Sequence, residues 1–189
     1  MAEKRAIVVL DVGKSNAKLA LVDASSRAQL AVRTRPNPVL RDGPYPHFDV
    51  EGLFAWVIAG LRDFAQQSEI SAISTTTHAA CAALLAGDEL ALPVLDYEHD
   101  GPEASRAEYD GKRGAFAETL SPNLPNGLNL GRQIFWQSRA FAKEFARVDT
   151  ILLYPQYWAW RLSGAKATEA TSLGSHTDES RCSMQKAPW

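Results

Sequence analysis

Between two apolar runs near the start of the chain, Ala6 to Leu10 and Leu19 to Val22, lies Asp11 to Lys18, a stretch whose residue types suit a phosphoryl group. Gly13 lets backbone amides approach an anion because no Cβ stands in the way, and Ser15 and Asn16 add short polar donors beside amides that can form a concave anion site. Lys14 and Lys18 supply positive charge. Asp11 alone would repel phosphate, so its presence makes sense if Mg²⁺ or its water shell stands between the two. The same residues would also serve a plain hairpin turn, with Gly13 and Asn16 meeting backbone needs and both lysines in solvent. This is not a Walker loop, because it lies between hairpin strands rather than opening a helix.

Whatever this turn binds, the rest of the chain must hold it in place, and composition allows that. With 189 residues, 46% hydrophobic and 22% charged, the chain can bury one substantial core, or a core and a small subdomain. A formal net charge of -2 gives no broad attraction for nucleic acid or anionic lipid, which favours a small-molecule partner. No run approaches the roughly eighteen apolar residues of a membrane span, and the start lacks the regions of a secretory signal. Cys81 and Cys182 are far apart, which argues against a disulfide framework or a cysteine metal site. A cytoplasmic location is the expectation.

Three strand-like runs come first, Ala6 to Leu10, Leu19 to Val22 and Gln29 to Thr34, joined by links short enough for hairpins. Pro36 to Phe48 reads as a loop, and Asp49 can cap a helix that places Leu53, Phe54, Val57, Leu61 and Phe64 on one stripe. Ile70 to Thr76 is β-prone, and Ala79 to Leu85 with Leu90 to Leu95 could be strands flanking a Gly87-Asp88 turn. Glu103 to Leu120 is helical in part, and Ser121 to Asn129 is a loop. A helix from about Gly131 to Arg147 has Ile134, Ser138, Phe141 and Phe145 on a shared face. Thr150 to Tyr154 reads as a buried strand, and Tyr157 to Leu162 as a helix ended by Ser163 and Gly164. This order predicts an α/β layer with a mixed sheet, the pattern of ribonuclease H-like domains.

Three segments in this order resemble the FGGY carbohydrate kinases of the actin, Hsp70 and sugar kinase superfamily. Asp11, Val12, Gly13, Ser15, Asn16 and Lys18 match the family's phosphate motif, and the variant with Lys14 looks closest to members near rhamnulokinase and fuculokinase. Leu153 to Gly164 is similar to its strand, proline, helix and Leu-Thr-Gly segment, and Ala167 to Gly174 to its Thr-Asp-x-Ser-x-Ala stretch. The resemblance implies a partial N-terminal domain over residues 1–178, followed by a divergent tail over 179–189. It also implies ATP and Mg²⁺ as cofactors, with Asp11 reaching the metal through water.

The resemblance further implies sugar contacts. His78 stands where family members carry polar residues that reach sugar hydroxyls, and a neutral imidazole both donates and accepts, as a polyol requires. A histidine satisfied by local backbone is the alternative. Asp96, Tyr97 and Glu98 correspond to the family's Trp-x-Asp segment, and carboxylates there can accept several hydroxyl donors. Asp96 replaces the tryptophan, however, and a solvated acidic turn with His99 and Asp100 would read the same way. Tyr154, Tyr157, Trp158 and Trp160 are expected in the core rather than as a stacking platform. Lys112 and Arg113 most simply face solvent.

The family's catalytic-base aspartate lies in a glycine-rich segment beyond the matched region, so it is assigned to no residue here, and the adenosine-holding domain also lies beyond. These expectations describe part of a kinase that phosphorylates a ketose or related sugar, with this chain alone inactive and self-association favoured by an apolar sheet edge. Two other readings compete. One is a non-catalytic sugar- or phosphate-binding fragment. The other is a ribonuclease H-like nuclease, which would need several converging carboxylates where Asp11 is the clear sheet-borne candidate.

Overall fold

Alternating burial along the first strands follows directly from the alternation of their residues. A computed structural model describes residues 5–168 and 177–178 of the chain. Its first strands are β1 (Arg5–Val12), β2 (Asn16–Asp23) and β3 (Gln29–Pro36). Ala6, Val8, Leu10 and Val12 in β1 are fully buried, as are Ala17, Leu19 and Leu21 in β2. The antiparallel register pairs Val8 with Leu21, Leu10 with Leu19 and Val12 with Ala17, so these side chains share one face.

Two-residue strands β4 (Val39–Leu40) and β5 (His47–Phe48) punctuate the proline-rich segment read from sequence as a loop. Helix α1 (Val50–Ala65) follows, and the Asp49 carboxylate accepts from the Gly52 amide at 2.9 Å, which is the expected N-cap. Val50, Leu53, Val57, Gly60 and Phe64 form its buried stripe, while Phe54 and Leu61 lie at its half-buried margins. Gly60 lies over Leu19, so this stripe covers the apolar face of β1 and β2. Strand β6 (Glu69–Thr77) then runs parallel to β1, giving the order β3-β2-β1-β6. The sheet is mixed, as the sequence implied.

The chain divides into two compact units. Among the described residues, one holds 5–40 with Phe48–His78, the other Arg41–His47 with 79–168 and 177–178. In the second, β7 (Ala82–Ala86) and β8 (Glu89–Leu92) form the hairpin across Gly87 and Asp88, and β9 (Thr150–Leu153) pairs antiparallel on the other side of β7. Short helices α2 (Arg106–Asp110) and α3 (Phe116–Thr119) precede α4 (Leu130–Ala140), α5 (Ala142–Phe145) and α6 (Tyr154–Ser163). Tyr154, Tyr157, Trp158 and Trp160 are buried and pack on one another with ring centroids 5.5 to 6.3 Å apart, so α6 is a core helix.

One helix departs from its sequence reading. The segment from Gly131 to Arg147 breaks at Phe141, whose backbone leaves helical geometry at φ -129°, ψ 49°. There its ring packs edge-on against Tyr45 and Trp136, at 5.2 and 5.4 Å, and the Ser138 hydroxyl donates to the Phe135 carbonyl. The buried surface also differs from the expected stripe. Leu130 to Phe135 are all buried, with Gln137, so the start of α4 is enclosed on every side.

That enclosure takes in a charge. Arg132 is fully buried and pairs with Glu103 at 3.2 Å; its guanidinium also donates to the Asn123 side chain and to the carbonyls of Leu124 and Asn126. Burial pushes the Arg132 guanidinium below its ordinary value, and the Glu103 charge opposes that. Burial also works against ionising Glu103, but hydrogen bonds from Arg106 and the Asn126 amide, with the Arg132 charge, outweigh it and hold the carboxyl below its usual range. Arg132→Ala is therefore expected to lower stability by about 3 kcal/mol in urea unfolding, with Arg132→Met milder because it refills the space. Because the folded pKa of Glu103 is depressed, its contribution is present above the unfolded value of about 4.5 and is lost as pH falls through the folded one. The urea midpoint of the native chain should thus fall more steeply below that pH than that of Glu103→Gln.

Candidate functional site

Strands β1 and β2 carry Asp11 and Lys18 to directly opposed positions, and the parallel register of β1 with β6 adds Thr76 on the other side. All three are exposed, on the face opposite the apolar one that α1 covers. Acid, base and hydroxyl thus form a row across three strands, close enough for cross-strand interaction. The turn above this row is tight. The Gly13 amide donates to the Asn16 carbonyl at 3.0 Å, and a Cβ on Gly13 would meet that carbonyl oxygen at 3.1 Å. Glycine is needed here for close backbone approach. Ser15 and Asn16 are exposed and Lys14 is half-buried.

A residue that sequence reasoning missed locks this turn. Asn37 is buried, and its side-chain amide donates to the Gly13 carbonyl at 2.9 Å while its backbone amide donates to the Ser15 carbonyl at 2.9 Å. Both bonds engage carbonyl oxygens of the turn and not its amides. The available signal was an asparagine held between Pro36 and Pro38, whose rings restrict its backbone.

Parallel pairing also brings His78 to this end of the sheet. It directly follows β6, and its amide donates to the Val12 carbonyl at 3.1 Å. The His78 ring tilts against Phe48 at 5.2 Å, and the Lys14 ammonium lies 5.4 Å over the same ring. Phe48, buried at the end of the proline-rich segment, is a second contributor missed from sequence. The turn from Asp11 to Lys18 and His78 therefore meet at the carboxyl end of a parallel strand pair, where open α/β sheets place their ligand crevices.

Asp96 and Glu98 belong to the second unit. Asp96 is buried, and its backbone amide donates to the Pro46 carbonyl at 2.9 Å. Its carboxylate accepts from the Glu98 amide at 3.2 Å, which holds the turn and leaves Glu98 exposed at its tip. A fully solvated acidic turn is thus replaced by a buried carboxylate supporting an exposed one. Behind the turn, the Gly127 amide donates to the Tyr97 carbonyl at 3.0 Å.

Arg113 corrects a sequence expectation. Rather than facing solvent beside exposed Lys112, it is largely buried and paired with Asp178 at 2.5 Å. Hydrogen bonding to that carboxylate raises the Arg113 guanidinium above its ordinary value. Most of the Ala167 to Gly174 motif and the tail from Glu179 to Trp189 lie outside the described residues. Among the described residues, no group of three or more His, Cys, Asp or Glu side chains is arranged to hold a metal ion, so the converging carboxylates of a nuclease are not found there. No helix among them is long and apolar enough to cross a membrane.

This mixed α/β chain has the fold of a carbohydrate kinase domain. Over 94% of its length the chain is similar to a carbohydrate kinase from Novosphingobium aromaticivorans, at 36% identity and a TM-score of 0.86. A ligand-bound xylulose kinase from Lactobacillus acidophilus matches 92% of the chain at 19% identity and TM-score 0.78. A glycerol kinase from Plasmodium falciparum, solved with ADP, matches 93% at 12% identity and TM-score 0.74. The chain spans 36 to 37% of the length of these proteins. No family model and no curated protein matches it.

If Asn37 holds the turn as described, Asn37→Ala should cost about 1–3 kcal/mol. Asn37→Asp should cost more, because a carboxylate would then face the Gly13 carbonyl. Amide exchange at Gly13 to Asn16 should accelerate in both variants, and unchanged exchange would contradict the role.

Proposed function

We propose that this chain is the phosphate-loop part of a carbohydrate kinase of the FGGY type, acting on a ketose or related sugar within a longer polypeptide. The observation that carries the reading is the row of Lys18, Asp11 and Thr76 beneath the tight Gly13 turn, at the carboxyl end of the parallel pair β1 and β6. Similarity at 36% identity to a carbohydrate kinase supports it.

The residues fit Mg²⁺ with ATP. The exposed Ser15 and Asn16 and the two lysines would make a donor set for phosphate oxygens, on a turn kept tight by Gly13. Asp11 would hold the metal through water. When bound, the ion would offset negative charge on the phosphates. Lys14 would be steadied by Phe48 beneath it, and Lys18, opposite Asp11, would keep that carboxylate from repelling the nucleotide.

For the sugar, His78 would donate and accept at hydroxyls, and Glu98 at its turn tip would accept from them, with Asp96 fixing that tip from below. The base that takes the proton from the attacking hydroxyl is assigned to no residue of this chain. Transfer is accordingly expected only in a polypeptide that also supplies that base and the adenosine-holding domain.

In such a polypeptide, Asp11→Ala should lower kcat by about a hundredfold or more with little change in the KM for sugar. Equal kcat in variant and parent would remove the phosphate assignment. Alanine at His78, Asp96 or Glu98 should weaken sugar binding by about 1–3 kcal/mol in calorimetry. If none of the three loses affinity, the sugar site lies elsewhere.

A further inference from the structure

The buried carboxylate of Asp178 has more donors than any purely local turn requires. Its Oδ2 accepts from the Tyr109 hydroxyl at 2.7 Å and the Asn129 side-chain amide at 3.1 Å. Its Oδ1 accepts from Arg113 Nε at 3.2 Å and Nη2 at 2.5 Å. Four donors on two oxygens use the acceptor capacity of a carboxylate fully, and the guanidinium makes the set charge-assisted. The Asp178 amide donates in turn to the Ser121 hydroxyl at 3.1 Å. Asp178 itself adopts a left-handed backbone at φ 58°, a strain that the surrounding bonds must outweigh.

Two of the three donor residues, Arg113 and Asn129, tie this carboxylate to one segment, the loop from Ser121 to Asn129. Arg113 Nη2 also donates to the Ser121 carbonyl at 2.7 Å. Asn129 caps α4 by accepting from the Arg132 amide at 2.9 Å, and its side-chain amide also donates to the Pro122 carbonyl. Arg132 grips the middle of the loop through Asn123, Leu124 and Asn126. Held at both ends and the middle, the loop presents the Gly127 amide to the Tyr97 carbonyl. The approach is so close that a Cβ on Gly127 would lie 2.9 Å from that oxygen. Tyr97 is the residue between Asp96 and Glu98.

We propose that Tyr109, Arg113 and Asn129 form a carboxylate receptor whose occupant, Asp178, positions the Asp96–Glu98 turn through the Ser121–Asn129 loop. Asp178 is a positioning residue, since it acts only through other groups. What the turn binds rests on the kinase reading above, whereas the latch can be tested without sugar or nucleotide.

The experiment is amide hydrogen exchange on the full 189-residue chain, with Asp178→Ala and the same-shaped Asp178→Asn. Exchange at residues 97–99 and 121–129 should accelerate about tenfold or more in Asp178→Ala, and less in Asp178→Asn, while β1 and β2 keep their protection. Acetate at tens of millimolar should slow it again in Asp178→Ala by refilling the receptor, and acetamide at the same concentration should not. Unchanged exchange in those segments would overturn the proposal, as would a rise spread evenly over both units or no difference between acetate and acetamide. Loss of the fold in both variants, unrelieved by acetate, would overturn it too, because Asp178 would then govern the whole chain and not one turn.

Discussion

The parallel pairing of β1 with β6 is the constraint on which the candidate site depends. It joins segments more than sixty residues apart, and it sets both the Asp11 turn and His78 at the same strand ends. Parallel strands cannot be joined by a tight hairpin, so a crossover must intervene. Helix α1 supplies that crossover, and its buried stripe rests on the Leu10–Leu19 face of the sheet. Polar chemistry is thereby left to the opposite face and to the strand ends. A slip of one residue in β1 would turn Asp11 into the core and Val12 out of it.

The second unit is organised differently. Its apolar core, built from residues such as Leu84, Leu95, Leu130, Ile134 and Leu153, is conventional. What distinguishes it is a set of buried polar side chains along α4. Arg132, Gln133 and Gln137 are enclosed there, and Gln137 donates to the Tyr45 hydroxyl, which donates to the Pro93 carbonyl. Burial raises the Tyr45 hydroxyl pKa, which keeps it a neutral donor. Such groups contribute less to stability than apolar replacements could, but they specify where the loops run.

Much of this was legible in the sequence. Strand alternation, the Asp49 cap and the short hairpin links made the mixed sheet readable, because each is a local signal with a local cause. The Gly13 turn was readable as a tight connection for the same reason, although a phosphate loop and a plain hairpin turn share that local pattern. The aromatic residues of α6 were readable as core from their density beside an apolar strand. Asn37, Phe48, Thr76 and Arg113 were not readable, because each acquires its role from a partner far along the chain. Arg113 beside Lys112 has the local pattern of a solvated pair, and it is Asp178, 65 residues on, with the Ser121 carbonyl, that holds it away from water. The break at Phe141 was hidden likewise, since helical periodicity continues through it and the rings that hold it out of the helix include Tyr45, nearly a hundred residues earlier.

Titration of the ¹⁵N-labelled chain with Mg-ATP decides whether the turn from Asp11 to Lys18 binds phosphate as proposed. A phosphate site there should give saturable shifts concentrated at the amides of Gly13 to Asn16 and at His78, weakened when Mg²⁺ is withheld and in Asp11→Ala. Shifts confined to other residues, or none at the turn at millimolar nucleotide, would contradict it.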